Sequence, residues 1–274
     1  MKTKIFILFV FIISSFAISS KTTKLVILHT NDTHSQIEPA TSSDLGGYAR
    51  RLGVINQIRK EEKNVLLLDA GDFLQGTPYF NFFGGRVETK ALKMMKYDAI
   101  GLGNHEFDNG IDSLVMLLKT VDLPMVNSNY NVQNTKLAPY LKEYKIIRKG
   151  GLKIGIFALG VNLEGLAFQK HFEGIKFNDP LLTAKVYSDF LKNRQKCDLV
   201  ICISHLGVSS QDSSPTDYDV ASATKHIDII IGGHSHKILV NEKKKNADNK
   251  DVIIAQMEKS GLNLGRIDLL FEKR

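Results

Sequence analysis

Cysteine is scarce: only Cys197 and Cys202 occur in 274 residues. They flank the apolar run "DLVI", and in one extended strand they would lie about 16 Å apart at roughly 3.3 Å per residue. A disulfide between them is excluded at that separation, and both read as packing residues. Repeats, low-complexity tracts and an aromatic excess are also missing. What remains is an ordinary globular composition with 43% apolar residues, enough to bury a core. No stretch rich in Pro, Gly or Ser interrupts residues 21–274, so a single domain is expected there. A strong charge of one sign is lacking too. The basic residues are dispersed apart from "EKKKNADNK" at 242–250, where acids and asparagines interleave, and that run reads as a solvated loop. A nucleic-acid polymer is therefore not an expected partner, whereas a mild positive balance suits small anionic substrates.

Only one long hydrophobic run exists, "IFILFVFII" at 5–13. Lys2 and Lys4 precede it and the small residues of "SSFAISS" follow, the order of a secretory signal peptide over residues 1–20 with cleavage near Ser19. The run is short for a membrane span, and no cysteine follows it to carry a lipid. An exported protein, periplasmic or secreted and without a stable membrane anchor, is expected. Removing Lys2 and Lys4 from the formal charge of +7 leaves +5 for the mature chain.

The rest of the chain alternates short apolar runs with helix-like stretches. The runs are "KLVILHT" (24–30), "NVLLLDA" (64–70), "DAIGLG" (98–103), "KIGIFALG" (153–160), "DLVICIS" (198–204) and "HIDIIIG" (226–232), the pattern of strands buried on both faces. Helices are expected over 47–63, 86–97, 110–120 and 179–195, the last with Asp179 as N-cap and Pro180 in its first turn. This is an α/β pattern. "YKIIRKGGLKIGIF" (144–157) reads as a hairpin turning at Gly150–Gly151, and "DVIIAQM" and "NLGRIDLLFE" near the end read as strands with no helix between them. Two mixed sheets flanked by helices fit better than one parallel sheet.

Polar chemistry gathers just past the carboxyl ends of these runs, the edge where α/β sheets bind ligands. "VILHTNDTH" ends in Asp32 and His34, "LLLDAGD" in Asp72, "AIGLGNHEFD" in Asn104, His105 and Asp108, "VICISH" in His205, and "IIIGGHSH" in His234 and His236. Singly each is weak, since Gly-Asp is usually a turn and a lone strand-end histidine usually packs in a core. Together they place five of the eight histidines, three aspartates and an asparagine at strand ends. Buried polar groups in that number need something to satisfy them, and divalent ions would. His, Asp and Asn ligation suits Zn²⁺, Mn²⁺, Fe²⁺ or Co²⁺, and the lack of cysteine ligands argues against a structural zinc knot. Asp32, His34, Asp72, Asn104, His205, His234 and His236 exceed what one ion takes, so two divalent ions sharing a carboxylate are expected. Such a pair activates a bridging water and clamps a phosphoryl group for in-line attack. His105 is then free to act as acid or charge stabiliser, with Asp108 orienting it. Gly71, Gly103 and Gly232–Gly233 allow sharp turns and close approach at this edge.

"LVILHTNDTH", "DAGD", "GNHEFDNG", "ISHLG" and "IGGHSH", in this order and spacing, resemble the calcineurin-like metallophosphoesterases. More narrowly they are similar to the N-terminal catalytic domain of the secreted 5′-nucleotidase, UDP-sugar hydrolase and 2′,3′-cyclic phosphodiesterase family. "NFFGGRVETKALKMMKYDAIGLGNHEFD", "PMVNSNY" and "IAQMEKSGLNLGRIDL" resemble it as well, so the likeness spans essentially all of residues 24–272. It implies a four-layered α/β/β/α sandwich of the metallo-dependent phosphatase type. It also implies one ion on Asp32, His34, Asp72 and His236, a second on Asp72, Asn104, His205 and His234, and His105 with Asp108 as the catalytic dyad. His29 and Asn31 belong to the motif without a ligand role, and His171 and His226 match nothing functional. The implied activity is hydrolysis of nucleotide-type phosphate monoesters, with cyclic nucleotides, UDP-sugars or a sulfur ester as alternative substrates of the same site. A non-catalytic metal-binding module is the reading from another class, and an intact His105–Asp108 pair argues against it. The family usually continues into a C-terminal domain that stacks the nucleobase, whereas this chain stops at Arg274. The resemblance therefore implies a catalytic domain over 21–274 without its substrate-gripping half, and a separate exported chain as the partner that could supply it.

Overall fold

A computed structural model describes residues 22–210 and 213–272. The signal peptide read in residues 1–20 lies outside the described residues. The apolar runs form two sheets. In the first, β1 (Thr22–Thr30) lies parallel to β2 (Val65–Asp69), which lies parallel to β3 (Ala99–Ile100), while β12 (Gly265–Glu272) closes the other edge antiparallel to β1. The second sheet has the order β10 (Ile238–Lys245), β11 (Asp251–Met257), β9 (Ile229–Gly232), β8 (Leu199–Ser204), β6 (Leu152–Leu159), β5 (Tyr144–Lys149). Its four inner strands run parallel and its two edge strands antiparallel to their neighbours. A small ribbon of β4 (Tyr130–Asn131) and β7 (Lys176–Phe177) lies apart from both.

Side-chain alternation then dictates the layers. On β1, Leu25 and Ile27 face the second sheet and pack with Ile154, Ile156, Ile201, Ile203, Ile229 and Ile231 in a wholly apolar inner core. Val26 and Leu28 face the other way, onto α1 (Tyr48–Glu61), α3 (Arg86–Met95) and α4 (Gly110–Thr120). The outer face of the second sheet presents Val200, Cys202, Ile230 and Ile254 to α5 (Pro180–Asp189) and α6 (Asp217–Ala223). A short α2 (Pro78–Phe83) precedes α3. Three buried apolar sheets of side chains separate four layers, so the chain is an α/β/β/α sandwich of mixed sheets.

The local signals act as their chemistry requires. Asp179 caps α5 by accepting the Leu182 N–H, and Pro180 fills the first helical position. The hairpin between β5 and β6 turns on Gly150 and Gly151, both at positive φ (62° and 82°), the backbone a two-residue turn of matching twist demands. One expectation is corrected. The run at 242–250 is not all loop: Glu242–Lys245 belong to β10, and only 246–250 turn. The charges there suit an exposed edge strand, where lysines discourage pairing with another chain. Lys243 and Lys245 both reach Asp251 on β11.

Cys197 and Cys202 are both free and buried, and burial pushes both thiols above their ordinary range, Cys202 well above it. A thiolate is the reactive form. The native protein is therefore expected to react with a thiol reagent orders of magnitude more slowly than the denatured chain, which should titrate two thiols. A fast-reacting thiol in the native protein would contradict this packing.

Candidate metal centre

Beyond the ends of β1 and β2 the chain stays laced. Asp32 N–H donates to Gly71 O (2.9 Å), His34 N–H to Asp72 O (3.0 Å) and Ser35 N–H to Phe73 O (3.1 Å), which extends sheet pairing into two irregular loops. A third loop joins from the far end of β11: Ser260 N–H donates to Asp32 O at 2.7 Å. Within these loops Asp32, His34, Asp72, His234 and His236 all adopt left-handed backbone, with φ of 47°, 44°, 54°, 67° and 51°. Each costs on the order of 1 kcal/mol or more for a residue with a Cβ, and such strain concentrates at functional sites. Five of the seven side chains expected as ligands are held this way.

The strained loops bring the side chains together. Asp32 Oδ1 lies 3.4 Å from His236 Nε2, 3.8 Å from His205 Nε2 and 4.0 Å from His34 Nε2. His34 and His236 meet at 3.1 Å between their Nε2 atoms. Asp72 Oδ2 lies 2.9 Å from His205 Nε2. Three sets of donor atoms each fall within 4.8 Å of one another: Asp32, His34 and His236; Asp72, His205 and His234; and His34, Asp72 and His105. The first two sets divide as the resemblance implies, and the third puts His105 against both. Asp32 touches imidazoles of both sets, which makes it as central as Asp72. Two glycines make the approach feasible: a Cβ on Gly103 would meet Asp72 Oδ1 at 2.2 Å and His205 Nε2 at 2.6 Å, and one on Gly233 would meet His205 Nδ1 at 2.8 Å.

The donor chemistry fits cations. Asp32 and Asp72 are buried carboxylates. His205 Nδ1–H donates to Ala70 O at 2.6 Å, which leaves Nε2 to face the carboxylates. Burial opposes charge on both His205 and Asp72, yet their mutual attraction wins, raising the imidazole's pKa and holding the carboxyl well below its usual range. Burial keeps His34 and His234 neutral, His234 at about 4, so their lone pairs stay available. Asn104 Oδ1 is buried without a hydrogen-bond partner. That orphaned atom, with two buried carboxylates and the imidazoles of His34, His205, His234 and His236 beside them, belongs to a donor set that divalent metal fits.

His105 sits beside this set with its ring 5.2 Å from that of His34. Its Nδ1–H donates to Asp108 Oδ2 at 2.8 Å, so the opposite nitrogen is the one left free. Burial would lower its pKa, but the Asp108 bond and the charges of Asp72, Asp108 and Glu106 outweigh it and raise the value to about 8.

Three residues support the centre; Glu106 and Gln256 were not singled out from the sequence, and Asn31 was given no ligand role. Glu106 is buried, and its carboxylate accepts four backbone N–H groups: Phe73 and Leu74 on Oε1, Asp72 and Gly103 on Oε2. Burial and the charge of Asp72 push its pKa up, whereas the backbone donors hold it down; with two N–H groups on each oxygen, the geometry is that of an ionised carboxylate. Gln256 Oε1 accepts from Lys237 N–H and Ser235 Oγ–H, and its Nε2–H donates to Gly233 O, which pins the loop bearing His234 and His236. Asn31, in the motif but given no ligand role, donates to Asp32 Oδ2 (2.6 Å) and Glu258 O and accepts from Met257 N–H. The only signal for Glu106 was its place inside "GNHEFD"; its four acceptances come from two separate loops. His29 is buried without a partner, His171 packs edge-on to Phe168, and His226 lies beside Asn193, all apart from the cluster.

A two-sheet sandwich with Asp, Asn and His side chains converging from both sheets' strand ends defines a metallophosphoesterase. Residues 25–238 match the calcineurin-like phosphoesterase family, and the chain belongs to it. It is 30% identical over 288 residues to a snake venom 5′-nucleotidase of Crotalus adamanteus, across 95% of this chain and 47% of that protein. Among solved structures, a 5′-nucleotidase precursor from Thermus thermophilus superposes with a TM-score of 0.82 at 29% identity, covering 91% of this chain and 52% of that one. The NAD nucleotidase of Haemophilus influenzae gives 0.81 at 28%, covering 92% and 48%. The chain thus spans about half the length of these relatives.

Replacing Glu106 by Gln offers one acceptor oxygen where the carboxylate offers two, and turns an NH₂ toward two backbone donors. Hydrogen bonds to a charged group contribute about 1.5–3 kcal/mol each. Glu106→Gln is expected to lower unfolding stability by about 3 kcal/mol or more and to weaken metal uptake with it. Urea unfolding with unchanged stability would refute the role assigned to the carboxylate.

Proposed function

We propose that the protein is an exported, metal-dependent phosphohydrolase that cleaves nucleotide-type phosphate monoesters. The observation that carries this reading is the joint presence of the carboxylate–imidazole cluster and, touching it, a histidine whose outward nitrogen is freed by a carboxylate partner. A binding module needs the first and has no use for the second. The relatives' names, 5′-nucleotidase and NAD nucleotidase, support the substrate class. The signal read in residues 1–20 and a venom protein among the relatives support export.

In this proposal Asp32, His34, Asp72 and His236 hold one divalent ion, and Asp72, Asn104, His205 and His234 hold the other. When bound, such ions lower the pKa of water and draw charge from a phosphoryl group. The chain's own residues do the rest. Asp108 fixes the His105 ring and keeps it protonated to about pH 8, so His105 can deliver a proton to the departing ester oxygen or stabilise the charge that develops there. Asn31 and Gln256 hold the ligands' loops still, so little reorganisation is left for the reaction itself. Nothing in the centre's carboxylates and imidazoles distinguishes one base from another, so in this reading the centre itself gives no selectivity among bases.

Chelation is expected to abolish phosphate release, and Mn²⁺, Co²⁺ or Zn²⁺ to restore it. Full activity in a metal-stripped sample would end the reading. AMP, UMP and a base-free phosphate ester should be cleaved by the chain alone at similar rates; marked preference for one base would place a recognition pocket within it.

The division of labour is separable. Asp72→Ala should lose metal and turnover together. His105→Ala should keep its metal while turnover falls by roughly 10²–10⁴-fold, the usual contribution of a general acid. Metal analysis alongside kinetics distinguishes the two, and a His105→Ala protein emptied of metal would reassign His105 as a ligand.

The pH profile carries a sign. The pKa of His105 is raised to about 8, so its acid form persists through neutrality and is lost as pH rises past that value. Turnover should fall above about pH 8, and His105→Ala should flatten that limb. An unchanged limb in the variant would assign it to another group.

A further inference from the structure

A second cavity, of about 530 Å³, lies between the β4–β7 ribbon, the segment that leads into β5, and α5, and none of the residues bounding it belongs to the metal centre. Its size is that of a small-molecule site. Its floor comes from "PMVNSNY", a segment the metal chemistry does not use.

Asn127 bounds this cavity and is 1% exposed. Its Oδ1 accepts two backbone N–H groups, from Tyr130 at 2.8 Å and Asn129 at 3.1 Å. Those two donors fix the amide's orientation, because a flip would set NH₂ against both. Nδ2 is thereby committed as a donor, and it is buried with no partner. A native fold rarely leaves such a group unpaired without a reason. Around it the cavity offers further amides from Asn131, Gln133 and Asn178, and the carboxylate of Glu143, already anchored by the Tyr187 hydroxyl at 2.9 Å. Phe177, packed against the Tyr130 ring at 6.2 Å, supplies a partly exposed aromatic wall, and Leu182 stands 63% exposed at the rim.

The charge is as telling as the shape. The chain carries a formal +7, yet no Lys, Arg or His bounds this cavity, while Glu143 and Asp179 do. An anion is disfavoured there. Amide donors, carboxylate acceptors and an aromatic face together suit a ring that carries several hydroxyls and no charge: hydroxyls can give and take hydrogen bonds, and the ring's apolar face can lie on the aromatic wall.

We propose that this cavity is a non-catalytic binding site for an uncharged, hydroxyl-bearing ring compound, a free sugar or the ribose of a nucleoside. It stands independently of the reaction assigned to the metal centre.

The chain contains no tryptophan, so Phe177→Trp would keep the aromatic wall and install a single fluorophore in it. In the full-length, metal-loaded protein, its emission should change saturably with uridine, with methyl glucoside, or with both, and which of them saturates identifies the source of the ring. Inorganic phosphate should neither cause nor displace the change. Asn127→Asp in the same background keeps the acceptor oxygen and removes the donor, and should weaken binding about tenfold, the effect of one lost hydrogen bond at a buried group. Leu182→Arg, at the exposed rim, should weaken it as well, and it decides the matter if the Asn127 variant does not fold. Turnover of a base-free phosphate ester should be unchanged in all three. No saturable change up to about 10 mM ligand, at the weak end of specific affinity, would overturn the proposal. So would displacement by phosphate, or undiminished binding in the foldable variants.

Discussion

Two carboxylates, Asp32 and Asp72, are buried at one point in the molecule, and most of the structure around them follows from that. A buried carboxylate costs several kcal/mol unless positive charge or hydrogen bonds compensate it. Asp32 gains the His234 N–H and the Asn31 amide; Asp72 gains the His105 N–H and the contact with His205. The attraction between His205 and the carboxylates raises that imidazole's pKa, while burial keeps His34 and His234 neutral. A site with that bias recruits cations. The glycines that clear space and the residues in left-handed backbone are what such crowding requires of a chain.

The two-sheet architecture makes the crowding attainable. Asp32, Asp72 and Asn104 leave the first sheet, and His205, His234 and His236 leave the second. Neither sheet carries the whole set, so the centre sits on their seam. Its geometry is set by the inner core of branched aliphatic side chains that fixes how the sheets pack. Close-packed interiors resist deformation, and that rigidity is passed to the ligands.

Much of this was legible in the sequence because the strands are buried on both faces. Uninterrupted apolar runs mark them, and a polar residue directly after such a run stands out. The seven expected ligands and the His105–Asp108 pair were read that way, and the structure clusters Asp32, His34, Asp72, His105, His205, His234 and His236. Glu106 was not, although it lies between Asn104 and Asp108, since accepting four N–H groups is a property of two loops meeting in space. Gln256 was hidden for the same reason: it lies within β11 and acts on a loop after β9. In β10, the lysines of 243–245 suggested a loop because an edge strand need not be apolar. Asn127 carried no signal of its own in the sequence: it bounds a cavity only because the ribbon and α5 lie beside it.

The clasp on Asp32 also sets an order of assembly. β12 pairs with β1, and the loop before it supplies Ser260 N–H to Asp32 and, through Glu258 O and Met257 N–H, holds Asn31. Residues more than 220 positions apart must therefore meet before the first loop of the centre takes its shape. Contacts of such sequence separation are slow to form. Until those contacts form, Asp32 and His34 lack the clasp that holds their loop, and the donors of the centre stay apart. Metal capture becomes a late event tied to completion of the sandwich, so the protein's own topology delays its chemistry until the fold is closed.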